Sequence, residues 1–256
     1  MFFYDLCHGH RQVLGDDELL SGCEHHKDAT ALPLHEATRL LFNRCSGLLF
    51  ASERLRRLSF SGEDAVFVHR NLAKAELAFG DVALAALGRY HWSCRERSLR
   101  LETEDVPFAK ILRPLHRQGV AFKLRPAHPQ SSRYELSARH SMLSVVGLRL
   151  FLWLENMRLG KVFSSPHEYA FDATDKCPET AAWHNGLVSL AALGWKGAGF
   201  SYPRQRLLNS LAVLLWDRLS LQKPEVARFV SAELLSSSSA FSDLVGAYAK
   251  LWSRFN

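Results

Sequence analysis

The sequence predicts a mainly α chain, a bundle of many helices preceded by a short β-strand or hairpin. Three observations carry this expectation. From Pro33 onward, apolar residues recur at the three-to-four-residue spacing of one helix face. Pro, Gly and Ser punctuate that pattern at short intervals. The first thirty residues lack it and hold short aromatic and aliphatic runs separated by turn residues. With 256 residues, 47% of them apolar and 23% charged, the chain can fill one large core or two small ones, which excludes wholesale disorder.

The opening run Phe2-Phe3-Tyr4-Asp5-Leu6, ending near Gly9, and the segment Gln12-Val13-Leu14 before Gly15-Asp16-Asp17 read as one or two strands. An isolated hairpin is barely stable in water, so these strands call for a sheet that the rest of the sequence does not supply. Pro33 sits in a first helical turn, with Glu36 as its first-turn anion, and Ala37, Leu40, Leu41, Leu48 and Leu49 form the stripe that follows. After the Ser59–Gly62 loop, a helix over Val68–Leu87 turns Leu72, Ala75, Ala78, Phe79, Val82, Ala83 and Ala86 inward and stops at Gly88. A shorter helix spans Phe108–Arg117.

Pro126, Pro129 and Ser131-Ser132 form a linker with Ser132 as an N-cap. The longest helix, Tyr134–Leu159, carries Leu143, Val146, Leu150, Trp153, Leu154 and Met157 as its seam and Gly160 as its C-cap. A short segment from Pro166, then helices over Pro178–Leu193, from Pro203, over Pro224–Leu235 and over Phe241–Phe255 bring the set to about eight helices. The expected organisation is a β segment at 1–30 and a helical bundle at 31–256, with a weaker boundary near 120–132.

Five scattered cysteines make no disulfide framework, and the N-terminus has neither a basic region nor a sustained apolar one, so a cytoplasmic protein without a membrane span is expected. The net charge of +6 permits an anionic partner without demanding one. The sequence holds no G-x-S-x-G, H-E-x-x-H, Walker or G-x-G-x-x-G motif. Cys7-x2-His10 and Cys23-x2-His26 have spacings that suit a tetrahedral zinc ion, and they form an alternative metal site. Arg133 and His140, seven apart, share a helix face and could address one phosphate, although a solvated polar face is the stronger reading.

Polar residues also interrupt apolar helix patterns: Asn43 and Arg44, Lys74, Asp81, and the Glu155–Arg158 pair. A lysine facing a cleft can meet phosphate oxygens as a point charge. The structural alternative is an ion pair, Lys74 with Asp81, one seven-residue step along the same face.

The stretches Leu40-Leu-Phe-Asn-Arg-Cys-Ser-Gly-Leu-Leu49, Arg70-Asn-Leu-Ala-Lys-Ala-Glu-Leu-Ala-Phe-Gly-Asp81 with Gly88-Arg-Tyr90, Trp153-Leu-Glu-Asn-Met-Arg-Leu-Gly160 and Tyr202-Pro-Arg-Gln-Arg-Leu-Leu208 resemble the helical part of bacterial nucleotidyltransferase-like proteins of the DNA polymerase β-like superfamily. The opening Tyr4-Asp-Leu, Gly9-His-Arg and Leu14-Gly-Asp resembles the last strand region of that family's catalytic palm. The resemblance implies a palm carrying a Gly-Ser turn and Asp-x-Asp carboxylates that hold magnesium at a nucleoside triphosphate. Gly62-Glu63-Asp64 and Gly80-Asp81 are only superficially like it and lack the second spaced carboxylate.

What the resemblance implies is therefore a helical accessory or substrate-binding domain, a fragment or split subunit. It would bind ATP weakly or not at all and transfer no nucleotide on its own. Its partner is a separate or upstream palm, its ligand a nucleotide or other small molecule, and Mg2+ and the triphosphate are expected only with that palm. Lys74, with Asn43, Arg44, Asp81 and Tyr90, is the implied nucleotide- or phosphate-binding set, and no residue of the chain is expected to be catalytic. The alternative is a helical interaction module for nucleic acid or an acidic protein. Nucleic acid is the less expected partner, because no aromatic–basic interleaving singles out a surface for it.

Overall fold

Two long helices, Leu34–Leu55 and Gly62–Ala86, pack lengthwise and form the centre of the molecule. The computed structural model describes residues 1–11, 13–15, 18–127, 131–195 and 197–256. Among them are eleven α-helices and no strand: α1 (Phe2–Gly9), α2 (Leu34–Leu55), α3 (Gly62–Ala86), α4 (Cys94–Thr103), α5 (Ala109–Leu124), α6 (Arg133–Leu159), α7 (Pro166–Phe171), α8 (Ala182–Leu193), α9 (Pro203–Leu211), α10 (Pro224–Glu233) and α11 (Phe241–Phe255). No helix among the described residues is long and apolar enough to cross a membrane.

Local chemistry sets most helix ends. Ser61 and Ser132 each close a capping box: the Ser61 hydroxyl accepts from the Asp64 amide (3.1 Å) while Asp64 accepts from the Ser61 amide (3.0 Å), and Glu135 does the same for Ser132 at α6. Gly160 ends α6 in the left-handed region, φ +62°. Pro166, Pro203 and Pro224 open α7, α9 and α10 in the first turn, where a missing N–H costs nothing. Beyond α9 the chain widens into a π-turn over Ala212–Trp216, and the Trp216 indole N–H donates to Ser144 O of α6 (2.9 Å).

The core lies where α2, α3 and α6 meet: Leu41, Phe42, Cys45 and Leu48 against Leu72, Phe79 and Val82, closed by Leu143, Leu150 and Leu154. One buried cluster includes residues from Tyr4 to Phe255, so it holds side chains from both sides of the 120–132 linker; His128, Pro129 and Gln130 lie outside the described residues. Helix α5 crosses α3 at Gly119, where a Cβ would sit 2.6 Å from Leu77 Cα. Backbone cannot yield as a side-chain end can. Gly119→Ala is therefore expected to cost about 2–3 kcal/mol in denaturant unfolding, the overpacking range; an unchanged midpoint would show that α5 can shift freely.

The expected N-terminal β-strand or hairpin is replaced by helix α1; Gln12, Asp16 and Asp17 of that reading lie outside the described residues. Buried Tyr4 and Cys7 are three apart, a helical spacing, and the Tyr4 ring meets the Tyr90 ring edge-on at 5.7 Å. A run this short fits either period. With no sheet among the described residues to receive ladder hydrogen bonds, the helix, which satisfies its own backbone, prevails. Helix α4 was not expected: its inward positions are Cys94, Arg97 and Leu101, and an arginine in the core position hides the apolar stripe.

Candidate functional site

A cleft of about 600 Å³ opens beside the α2–α3 pair, with α1, α4 and α5 contributing to its walls. Helix α2 supplies Glu36, Leu40, Asn43 and Arg44, spaced as successive turns of one face, and α3 supplies Lys74, Leu77, Ala78 and Asp81 in the same way. Asn43, Arg44, Lys74, Asp81 and Tyr90 all line this cleft. The polar interruptions of two helices thus fall on the two faces that border one opening.

The side chains of the cleft are cationic in balance. Arg39, Arg44, Lys74, Arg97 and Lys123 face Asp5, Glu36 and Asp81. Two of the cations are neutralised: Arg39 lies 2.9 Å from Glu36, which also holds the Met1 ammonium at 3.0 Å, and Arg97 lies 2.6 Å from Asp81. Among the described residues, Arg44, Lys74 and Lys123 have no carboxylate within ion-pair distance. Burial, then the neighbouring Arg44 and Arg70 charges, push the Lys74 ammonium below its ordinary range. Burial likewise lowers Arg44, with Asp81 opposing it. Like charges crowd here without an ion-pair partner among the described residues.

Asp81 is the structural hinge-pin of the cleft floor. Its Oδ1 accepts from Arg97 Nε and lies 2.8 Å from His116 Nε2 of α5. The preceding Gly80 makes room for that imidazole: a Cβ there would sit 2.6 Å from His116 Cδ2. Arg97 also donates to His91 O (2.6 Å) and Trp92 O (2.9 Å), and its guanidinium covers the Tyr90 ring at 4.8 Å. The Tyr90 hydroxyl donates to Asp5 Oδ2 (3.1 Å), and burial raises both the Tyr90 and Asp5 groups above their ordinary values. The Lys74–Asp81 ion pair is not formed; Arg97 and His116 take the carboxylate instead. Asp5, Arg97 and Lys123 were not legible as site residues, because they join the cleft from three further helices, α1, α4 and α5; His116 of α5 stands behind Asp81 rather than lining the cleft.

The carboxylates of the cleft do not suit a divalent metal. Asp5, Glu36 and Asp81 are each engaged by a donor of the chain, and no group of three or more His, Cys, Asp or Glu among the described residues could hold an ion. The donor set of the magnesium-bound triphosphate is therefore not found here. The zinc alternative is not assembled either: the Cys7 thiol points to Cys23 O (3.8 Å), the His10 Nδ1 lies 3.0 Å from Leu6 O, and His26 stacks on Phe3.

The other polar sets serve the fold. Arg133 donates to Leu55 O and Arg57 O, satisfying the end of α2, and His140 is buried 2.9 Å from Leu48 O, so the two do not share a ligand. Glu155 and Arg158 form a buried bidentate pair. Comparison with protein-family models, curated proteins and solved structures gives no match for this chain.

Proposed function

We propose that this chain is a helical accessory or substrate-binding domain of a nucleotidyltransferase-like protein, and that its cleft receives the phosphate groups of a nucleotide or similar small molecule. The observation that carries the reading is the pair Arg44 and Lys74, two cations without a carboxylate partner among the described residues, facing one cleft from adjacent helices. A phosphate oxyanion relieves their repulsion and gains charge-assisted hydrogen bonds from both. Asn43 adds an amide, and Phe2, exposed at the rim, adds an aromatic face. With Asp5, Glu36 and Asp81 each held by a donor of the chain, the cleft supplies binding and no nucleotidyl transfer; that chemistry belongs to a palm domain, upstream or separate.

Binding by the isolated chain is expected to be weak, with dissociation constants of roughly 0.1–1 mM for tripolyphosphate or ATP. Titration calorimetry in low salt checks this. Arg44→Ala with Lys74→Ala, both away from the core, should weaken binding at least about tenfold, the worth of one or two charged hydrogen bonds. Absence of saturable binding, or binding indifferent to the double variant, overturns the phosphate site. Magnesium-dependent nucleotidyl transfer by the purified chain overturns the accessory-domain reading. Tight, steeply salt-dependent RNA binding would favour an interaction module instead.

A further inference from the structure

Helix α2 borders more than the phosphate cleft. His35, Glu36, Arg39, Leu40, Asn43 and Arg44 fall on one of its faces, in pairs one turn apart. From Glu36 to Arg44 this face lines the cleft, and from His35 to Arg39 it lines a second pocket, of about 280 Å³, between α1 and the start of α2. Glu36 and Arg39, ion-paired at 2.9 Å, are thus a ridge shared by the two hollows, and Phe2 of α1 stands beside both.

The two ends of the face differ in chemistry. At Arg44 and Lys74 it is cationic. The smaller pocket is walled by rings instead. Phe2 meets Phe3 edge-on with centroids 5.5 Å apart, and Phe3 stacks on His26 at 5.0 Å. Phe2 is 70% exposed and Phe3 55%, so both rings keep surface for another ring. Asp28, Glu36 and the His35 imidazole supply the polar edge. The two carboxylates accept hydrogen bonds and repel a phosphate, and Arg39 is already held by Glu36. Rings with acceptors at their edge suit a flat heterocycle that carries N–H groups.

We propose that this pocket is the base subsite of the cleft. The ligand is a nucleoside triphosphate lying along α2, its phosphates at Arg44 and Lys74 and its base against Phe2 and Phe3. The proposal rests on the phosphate reading of the cleft and narrows the ligand to a nucleotide, against an inorganic polyphosphate or a sugar phosphate. The length agrees. Glu36 and His35 lie roughly 12–13 Å from Arg44 along the helix axis. A chain of three phosphates ends short of that distance, and a ribose and base carry the ligand over the Glu36–Arg39 ridge. The direction is fixed by charge, since a reversed ligand would set its phosphates on Asp28 and Glu36.

Three titrants separate the subsites: tripolyphosphate reads the phosphate site, adenosine the pocket, and ATP both. Calorimetry on the full chain without magnesium should find ATP roughly tenfold tighter than tripolyphosphate, the worth of one stacked base. Phe2→Ala and Phe3→Ala, both at exposed positions, should each remove most of that advantage and leave tripolyphosphate binding unchanged. Arg44→Ala with Lys74→Ala should weaken both anions alike, and Leu58→Glu, fully exposed between α2 and α3, neither. Circular dichroism checks that each variant is folded. Saturation-transfer NMR on the unaltered chain should mark the adenine ring protons of ATP more strongly than those of the ribose. Equal affinities for ATP and tripolyphosphate, or an ATP advantage that survives both phenylalanine variants, overturns the base subsite and leaves the phosphate site standing. Adenosine binding that Phe3→Ala abolishes, without any tripolyphosphate binding, keeps the base pocket and overturns the phosphate reading. Binding of none of the three overturns both.

Discussion

Replacing Glu155 with alanine is expected to lower the stability of the chain by about 3–5 kcal/mol. Glu155 is completely buried. It accepts from Thr38 Oγ1 (2.8 Å), the Tyr169 hydroxyl (2.8 Å) and Arg158 Nε and Nη2 (2.9 and 2.6 Å). The carboxylate thus joins α2, α6 and α7 at one point. Its removal leaves the Arg158 guanidinium buried without its principal countercharge, with only Glu179 at 3.6 Å, and leaves two hydroxyl groups without their acceptor. Against a total stability of about 5–15 kcal/mol the loss is large. Guanidinium unfolding reads it directly, and a thermal midpoint lower by roughly 10 °C accompanies it. A loss below about 1 kcal/mol would mean that water enters and rescues the site. Glu155→Leu combined with Arg158→Met should recover part of the loss, because a buried ion pair is costly to break and often cheap to replace whole.

Asp81→Ala is the second large effect, again about 3–5 kcal/mol. Arg97 is 2% exposed and His116 is fully buried, and both depend on the same carboxylate oxygen. Without it, the guanidinium keeps only the two carbonyls of His91 and Trp92 and the Tyr90 ring. Because Arg97 ties α4 to the end of α3, the wall of the cleft loosens with it. Asp81→Asn keeps the shape and removes the charge, so it separates the two consequences. It should cost less stability than the alanine variant and tighten tripolyphosphate binding a few-fold, since the cleft loses one of its three carboxylates. Weaker tripolyphosphate binding by a folded Asp81→Asn would show that the carboxylate itself contacts the ligand.

The two networks mark the limit of what residue order reveals. Glu155 and Arg158 lie three apart on one helix and were legible as a pair, but Thr38, 117 residues away, was not. Asn43, Arg44, Lys74 and Asp81 were legible as polar breaks in apolar stripes, because helical periodicity is a local property. That α2 and α3 turn those breaks toward one opening follows from the same period, applied twice. Asp81's partners were misassigned to Lys74, since Arg97 sits on a helix whose core-facing arginine concealed it and His116 reaches across a gap that only Gly80 leaves open.

The helical class, the caps at Ser132 and Gly160, and the proline starts of α7, α9 and α10 were determined by the sequence alone, because they depend on backbone chemistry within a few residues. Packing decided the rest. The N-terminal run became a helix because the described residues hold no sheet to bond a strand, and Asp81 and Glu76 took the arginines, Arg97 and Arg139, that the helix crossings brought within 3 Å. A short segment is indifferent to such choices on its own; burial, which makes an unmet hydrogen bond or an unpaired charge cost several kcal/mol, settles them only once distant helices have met.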